Sequence, residues 1–273
     1  MFYISKLIRI SGVALTLCFV FAPMSAAAAT IRAGGTGSAL GTVMILADAF
    51  QASRPDTKIN VMPALGSSGG IKAVTEGKLD IGLSARALKP AERAQGLAER
   101  EIGRTPLVLA SMRSHAGFTL SEVAGIFSGT LKTWPDGSPL RPILRPEADT
   151  ETQLLRAISP EIDRALTIAR ARQGVHTAIT DQDSADAIER VPGALGTTTL
   201  ALILSERRKI KILPINGAAP SVSALARGTY PYFKPLYFVT PHDASEPARA
   251  FIAFIQSKQG AKILSDNGYL LSK

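Results

Sequence analysis

A mixed α/β fold built as two lobes is predicted by three features of the sequence. Short apolar runs alternate with amphipathic stretches from Ile31 onward, two glycine- and serine-rich turns each stand between a strand and a helix, and the texture changes between about Arg113 and Tyr232. Ile31 to Ala33 reads as a strand and Gly34-Gly35-Thr36-Gly37-Ser38 as the turn after it. Leu40, Val43, Met44, Ala47 and Phe50 then recur at helical spacing, and the helix stops before Pro55. The unit repeats with a strand at Lys58 to Met62, the turn Gly66-Ser67-Ser68-Gly69-Gly70, and a helix from Ile71 that ends at Gly77. Asp80 to Ser84 and Leu107 to Met112 supply two further strands around a charged helix expected over Pro90 to Arg100. Helical crossovers of this kind imply a mostly parallel sheet.

The middle of the chain predicts helices at Leu120 to Phe127, Thr152 to Ser159, Glu161 to Arg172 and Thr180 to Glu189, with strands at Ala194 to Thr197 and Ile210 to Ile215. Leu236 to Val239 reads as a strand, followed by helices at Pro247 to Gln256 and Gln259 to Asp266. The division this suggests is a first lobe of residues 30–112 plus 234–273 and a second lobe of residues 113–233.

Composition narrows the classes. With 273 residues, 46% hydrophobic and 19% charged, the chain is neither disordered nor fibrous. One cysteine, Cys18, excludes an intramolecular disulfide and a multi-cysteine metal cluster. Residues 1–29 carry Lys6 and Arg9, an apolar run from Ile10 to Ala22 and the small residues Ser25 to Ala29, the layout of a secretory signal. The apolar run is too short for a comfortable bilayer span, and Leu17 before Cys18 argues against lipid attachment. The expected mature chain is soluble, free of cysteine and periplasmic, and it keeps an excess of basic residues.

Each glycine-rich turn aims backbone amides and hydroxyls at one spot, where the positive end of a helix dipole favours an anion. Competing motifs are weaker. Gly35, Gly37 and Gly41 approximate a dinucleotide fingerprint, but no acid ends the next strand to hold a ribose hydroxyl. The second turn satisfies G-x-S-x-G, so Ser68 with Asp181 or Asp183 and His242 is a remote serine-hydrolase alternative. His115 and His176 lack partners at metal-ligand spacing, and the basic run Arg207-Arg208-Lys209-Lys211 lacks the interleaved aromatics of a nucleic-acid surface.

The strings AGGTGSALG, ALGSSGGIKAVTEGKLDIGLSAR, VAGIFSGTLKTWPDGSPLRPILRPE, PGALGTTTLALI and GTYPYFKPLYFVT, with the C-terminal KQGAKILSDNGYL, resemble the phosphate-binding periplasmic proteins of ABC importers over nearly the whole chain. The resemblance implies a type II periplasmic-binding-protein fold closing on one small oxyanion, phosphate by default. It implies neither enzymatic activity nor a cofactor or metal. Delivery would be to an ABC permease in the inner membrane, or signalling through a membrane sensor. Carried over by position, the ligand site draws on Ser38, Ala39 and Leu40 of the first turn, Ser67 and Ser68 of the second, and Arg145 as the anion's partner with Glu147 holding that arginine. The family's proton-accepting Asp falls at Ala85, beside Arg86, and its Ser-Gly-Thr falls at Asp149-Thr150-Glu151. Two acids at the start of a helix place side-chain charge where the ligand's charge would sit, so a non-phosphate ligand or a sensor role is the alternative.

Overall fold

The computed structural model describes residues 29–272. The expected signal segment lies outside the described residues, Ala29 apart. In chain order, β1 (Ala29–Gly35) leads through a short 3-10 turn (Gly37–Ala39) into α1 (Leu40–Ser53), β2 (Thr57–Val61), α2 (Gly66–Thr75) and β3 (Ile81–Ser84). After the single turn α3 (Pro90–Arg93), the long strand β4 (Leu97–Ser111) runs on to α4 (Leu120–Ser128), β5 (Arg141–Leu144), α5 (Thr150–Arg156), α6 (Pro160–Ala171) and β6 (His176–Thr177). Then come α7 (Asp181–Arg190), β7 (Ala194–Thr199), α8 (Leu200–Ser205), β8 (Lys211–Leu213), α9 (Val222–Ala226) and β9 (Phe233–Pro241). The chain closes with α10 (Glu246–Ile255), α11 (Lys258–Asp266) and β10 (Leu270–Leu271).

The strands order as β2-β1-β3-β9-β4-β7-β5-β6, with β8 and β10 also on β4. β1 pairs parallel with β2 and β3, and β5 pairs parallel with β6 and β7. The expectation of a mostly parallel sheet is corrected at the centre, where β9 runs antiparallel to β3 and β4, and β4 antiparallel to β7 and β8. Residues 97–106 of β4 pair with β9, whereas Leu107 to Ser111 pair with β7. One strand therefore passes through both halves of the sheet.

Both faces of each half are covered, as a two-sided α/β layer requires. On the β1 half, Val43, Leu46 and Phe50 of α1 meet Ile31, Ile81 and Phe251 on one face, with the Phe50 and Phe251 rings 5.3 Å apart. Ile71, Val74, Leu79 and Val239 fill the other. On the β7 half, Val123, Phe127, Ile162 and Leu166 pack against Leu109 and Leu195, while Ile188 and Leu202 cover Val108 and Ile143 on the reverse.

The expected helix over Pro90 to Arg100 shrinks to one turn. Gly96 adopts φ of 80°, a left-handed conformation that ends the turn, and Leu97 onward is recruited by β9. Tertiary pairing overrides a helical charge pattern there.

Candidate ligand-binding site

Four helical starts converge between the two halves of the sheet. The 3-10 turn at Gly37 and α2 come from the β1 half, and α5 and α7 from the other. Between them lies a cavity of about 240 Å³ lined by Gly37, Ser67, Ser68, Arg145, Asp149, Thr150 and Asp181, with Leu65 and Ile179 exposed at its mouth. A larger hollow of about 660 Å³ beside Arg104 and Leu271 is a surface depression in which Arg104 is already paired with Glu101.

The cavity floor is unusually rich in buried charge. Arg145, 4% exposed, donates from one terminal nitrogen to the Ala178 carbonyl at 3.0 Å and from the other to Asp149 Oδ2 at 2.9 Å. Its Nε is buried and has no partner among the described residues. Asp149 Oδ1 accepts from the Glu151 amide at 2.9 Å and so caps α5. Behind Arg145, the fully buried Lys234 of β9 donates to Asp181 Oδ1 at 2.6 Å and to Glu151 Oε2 at 3.3 Å. Glu151 Oε1 accepts from the Thr197 hydroxyl at 2.6 Å, and Asp181 Oδ2 accepts from the Ser38 amide at 3.1 Å across the cleft.

These contacts set the charge states. Burial works against the Lys234 ammonium, but Asp181 and Glu151 outweigh it and hold its pKa above the ordinary lysine value. Burial also opposes the Asp181 carboxylate, yet Lys234 and Arg145 keep its pKa below the usual range. For Glu151 burial wins over the pull of Lys234 and raises its pKa. Two buried cations thus face three acids, Asp149, Asp181 and Glu151, and burial shifts the last of these towards its protonated form.

The residues expected at the site divide. Arg145, Asp149, Thr150, Ser67 and Ser68 line the cavity. Ser67 Oγ accepts from the Ala85 amide at 2.9 Å and meets Thr150 Oγ1 at 3.2 Å, which links the two halves. The first turn differs from expectation because its amides are spent internally: Ser38 on Asp181, Ala39 on the Thr36 carbonyl and Leu40 on that of Gly37. The side chains of Ala39 and Leu40 belong to the core. Arg86 lies outside the cavity lining, with Glu92 gripping its guanidinium from both oxygens and Ser68 Oγ at 3.2 Å. Glu151 sits behind the lining, on Lys234. The role expected of Glu147 is corrected: it pairs with Arg156 and Arg170 at the surface, and the acid that holds Arg145 is Asp149, four residues on, because the turn into α5 brings it back over the guanidinium.

The hydrolase arrangement does not assemble. Ser68 meets Arg86, Asp181 meets Lys234 and Ser38, and His242 lies at the end of β9, outside the cavity lining. Gly37 serves close approach rather than a dinucleotide, since a Cβ there would collide with Gln182 and lie 2.9 Å from Asp181 Oδ2. Gln182 itself donates to the Gly37 carbonyl at 2.9 Å. Gly37→Ala is therefore expected to wedge the halves apart, seen in small-angle scattering as a larger radius of gyration than that of the parent chain.

Sequence reasoning missed Lys234 and reached Asp181 only as a hydrolase acid. The usable signal for Lys234 was a lone lysine in the apolar run Tyr230 to Val239.

Two α/β halves threaded by shared strands, with a polar cleft at converging helix starts, form the architecture of type II periplasmic binding proteins. A protein-family model described as PBP superfamily domain matches residues 22–259, and the chain belongs to that family. It is 25% identical over 256 residues to the phosphate-binding protein PstS of Bacillus subtilis, covering 89% of this chain and 81% of that protein. Among solved structures it is similar to a protein from Clostridium perfringens assigned as a phosphate ABC transporter substrate-binding protein with bound phosphate. There the TM-score is 0.77 and the identity 21%, over 89% of this chain and 100% of that one. The periplasmic molybdate-binding protein of Azotobacter vinelandii matches with TM-score 0.63 at 16% identity, over 89% of this chain and 100% of that one. Among the described residues no helix is long and apolar enough to cross a membrane.

Proposed function

We propose that this chain is an exported, periplasmic solute-binding protein, not an enzyme, that captures a small oxyanion in the cleft and presents it to an inner-membrane ABC permease. Phosphate is the first candidate, from the relatives. The observation that carries the reading is the pairing across the cavity of α2, which begins without a side-chain cap, with Arg145, whose Nε has no partner among the described residues. Amides at a helix start, the hydroxyls of Ser67, Ser68 and Thr150, and a fixed guanidinium form a suitable donor set for a tetrahedral anion. A second reading, in which the ligand is zwitterionic or neutral or the partner is a membrane sensor, rests on the acids Asp149 and Glu151 at the start of α5, where the resemblance places hydroxyls.

Thermal unfolding with phosphate, sulfate, molybdate and a zwitterionic amino acid separates the two. An oxyanion at ten times its Kd adds about 1.4 kcal/mol, a rise of roughly 3 to 6 °C for a domain of this size. Arg145→Gln removes a charge-assisted contact of about 1.5–3 kcal/mol, so it should weaken oxyanion binding roughly ten- to hundredfold. A shift with the zwitterion alone would favour the second reading.

A further inference from the structure

We propose that Asp181 is a built-in competitor for the ligand, a carboxylate of one lobe seated on the anion-binding amide of the other, so that an oxyanion must displace it to engage the first turn. The inference rests on the oxyanion reading above. Asp181 lines the cavity beside Gly37, and its Oδ2 takes the Ser38 amide at 3.1 Å from across the cleft. That amide sits where the resemblance places a ligand contact, and a side-chain carboxylate offers it the same negative oxygen that a bound oxyanion would.

The carboxylate is held there from behind. Lys234 grips Oδ1 at 2.6 Å, and Gln182, next in sequence, ties α7 to the Gly37 carbonyl at 2.9 Å and to Glu206 at 2.7 Å. Ser67 and Thr150 add a third crossing at 3.2 Å. The lobes are thus joined by the chain's own groups, and Asp181 is the charged group seated on the first turn. Two consequences follow. A ligand arriving at α2 and Arg145 has one anion position fewer to fill, and it meets the Asp181 charge within the same cavity. Affinity for a dianion is therefore held down, and closure does not depend on the ligand.

Asp181→Ala frees the Ser38 amide and leaves Lys234 with a single acid. Asp181→Asn keeps the shape and removes the charge, and it provides the same comparison should the alanine variant fail to fold. Phosphate binding to the parent chain and both variants is measured by calorimetry, with the radius of gyration recorded with and without phosphate. The expected result is at least a tenfold gain in phosphate affinity in the variants, together with compaction on phosphate binding in Asp181→Ala and none in the parent. A merely structural tie would give the opposite sign, because losing it would open the lobes and weaken binding. Parent and variants binding phosphate equally would overturn the competitor while leaving the oxyanion reading intact. If the folded parent and both folded variants bind no phosphate at 100 mM, the oxyanion reading falls and the competitor with it.

Discussion

Lys234→Met is expected to destabilise the protein by about 3–5 kcal/mol, the cost of removing one partner from a buried ion pair. For a domain of this size that is a fall in Tm of roughly 6 to 20 °C. The size of the effect follows from what the lysine holds. Its side chain is 2% exposed, those of Glu151 and Asp181 are 1% and 6% exposed, and the ammonium links both acids from the central strand β9. Methionine fills the volume of the stem but leaves Asp181 with the Ser38 amide alone and Glu151 with the Thr197 hydroxyl alone. Urea unfolding measures the loss. Combining Lys234→Met with Asp181→Asn and Glu151→Gln should recover most of it, because neutral replacement of a whole buried cluster costs little. A loss below about 1 kcal/mol in the single variant would show that the acids do not need the ammonium.

Acids of the cleft take donors from both the first turn and α5, Asp181 accepting the Ser38 amide and Asp149 the Glu151 amide. Asp181 opens α7 and Glu151 lies in the first turn of α5, so each acid sits at the positive end of a helix as well as on Lys234. The same helix starts that could hold a ligand's charge hold the chain's own. What remains open is the start of α2, whose preceding residue Leu65 offers no side-chain cap, with Arg145 opposite.

Much of this was legible locally. The strand-turn-helix units at Gly34–Ser38 and Gly66–Gly70 follow from periodicity and glycine placement, and both turns lie where the cleft forms. The capping tendency of Asp149 is a one-residue property, and the structure shows Asp149 capping α5. The failures are all non-local. β4 begins at Leu97 because β9, more than a hundred residues later, pairs with it, and nothing in Pro90 to Arg100 encodes that partner. Asp181 reaches Ser38 over a separation of 143 residues and Lys234 over 53, so neither contact has a spacing to read. Glu147 and Asp149 are two residues apart with the same chemistry. The path of the chain into α5 decides which of them faces Arg145.

Glu151 should give the protein a stability that falls as pH rises above about 4.5. Burial lifts its carboxyl above the ordinary value of 4.5, with Lys234 pulling the other way. The folded state therefore keeps the proton to higher pH than the unfolded chain. Its contribution is complete below the unfolded pKa and is lost as pH rises through the folded one, at up to about 1.4 kcal/mol per pH unit. Asp181 has the opposite sign in a different window. Its pKa is lowered, so its contribution is complete above the ordinary value of 3.8 and is lost only as pH falls through the folded value. The other carboxylates with a lowered pKa, among them Asp80, Glu92 and Glu101, titrate on that acid side as well. Above about pH 4.5, then, Glu151→Gln should flatten the pH dependence of unfolding free energy, and the parent should lose stability relative to it as pH rises. Glutamine can keep the Thr197 contact and give up the longer one, 3.3 Å to Lys234, so the slope and not the absolute stability is the readout. Parallel curves for the two proteins would mean that Glu151 is ionised throughout, bound to Lys234 as a full ion pair. The floor of the cleft would then carry one more negative charge than positive, which would favour the zwitterionic reading of the ligand over the oxyanion.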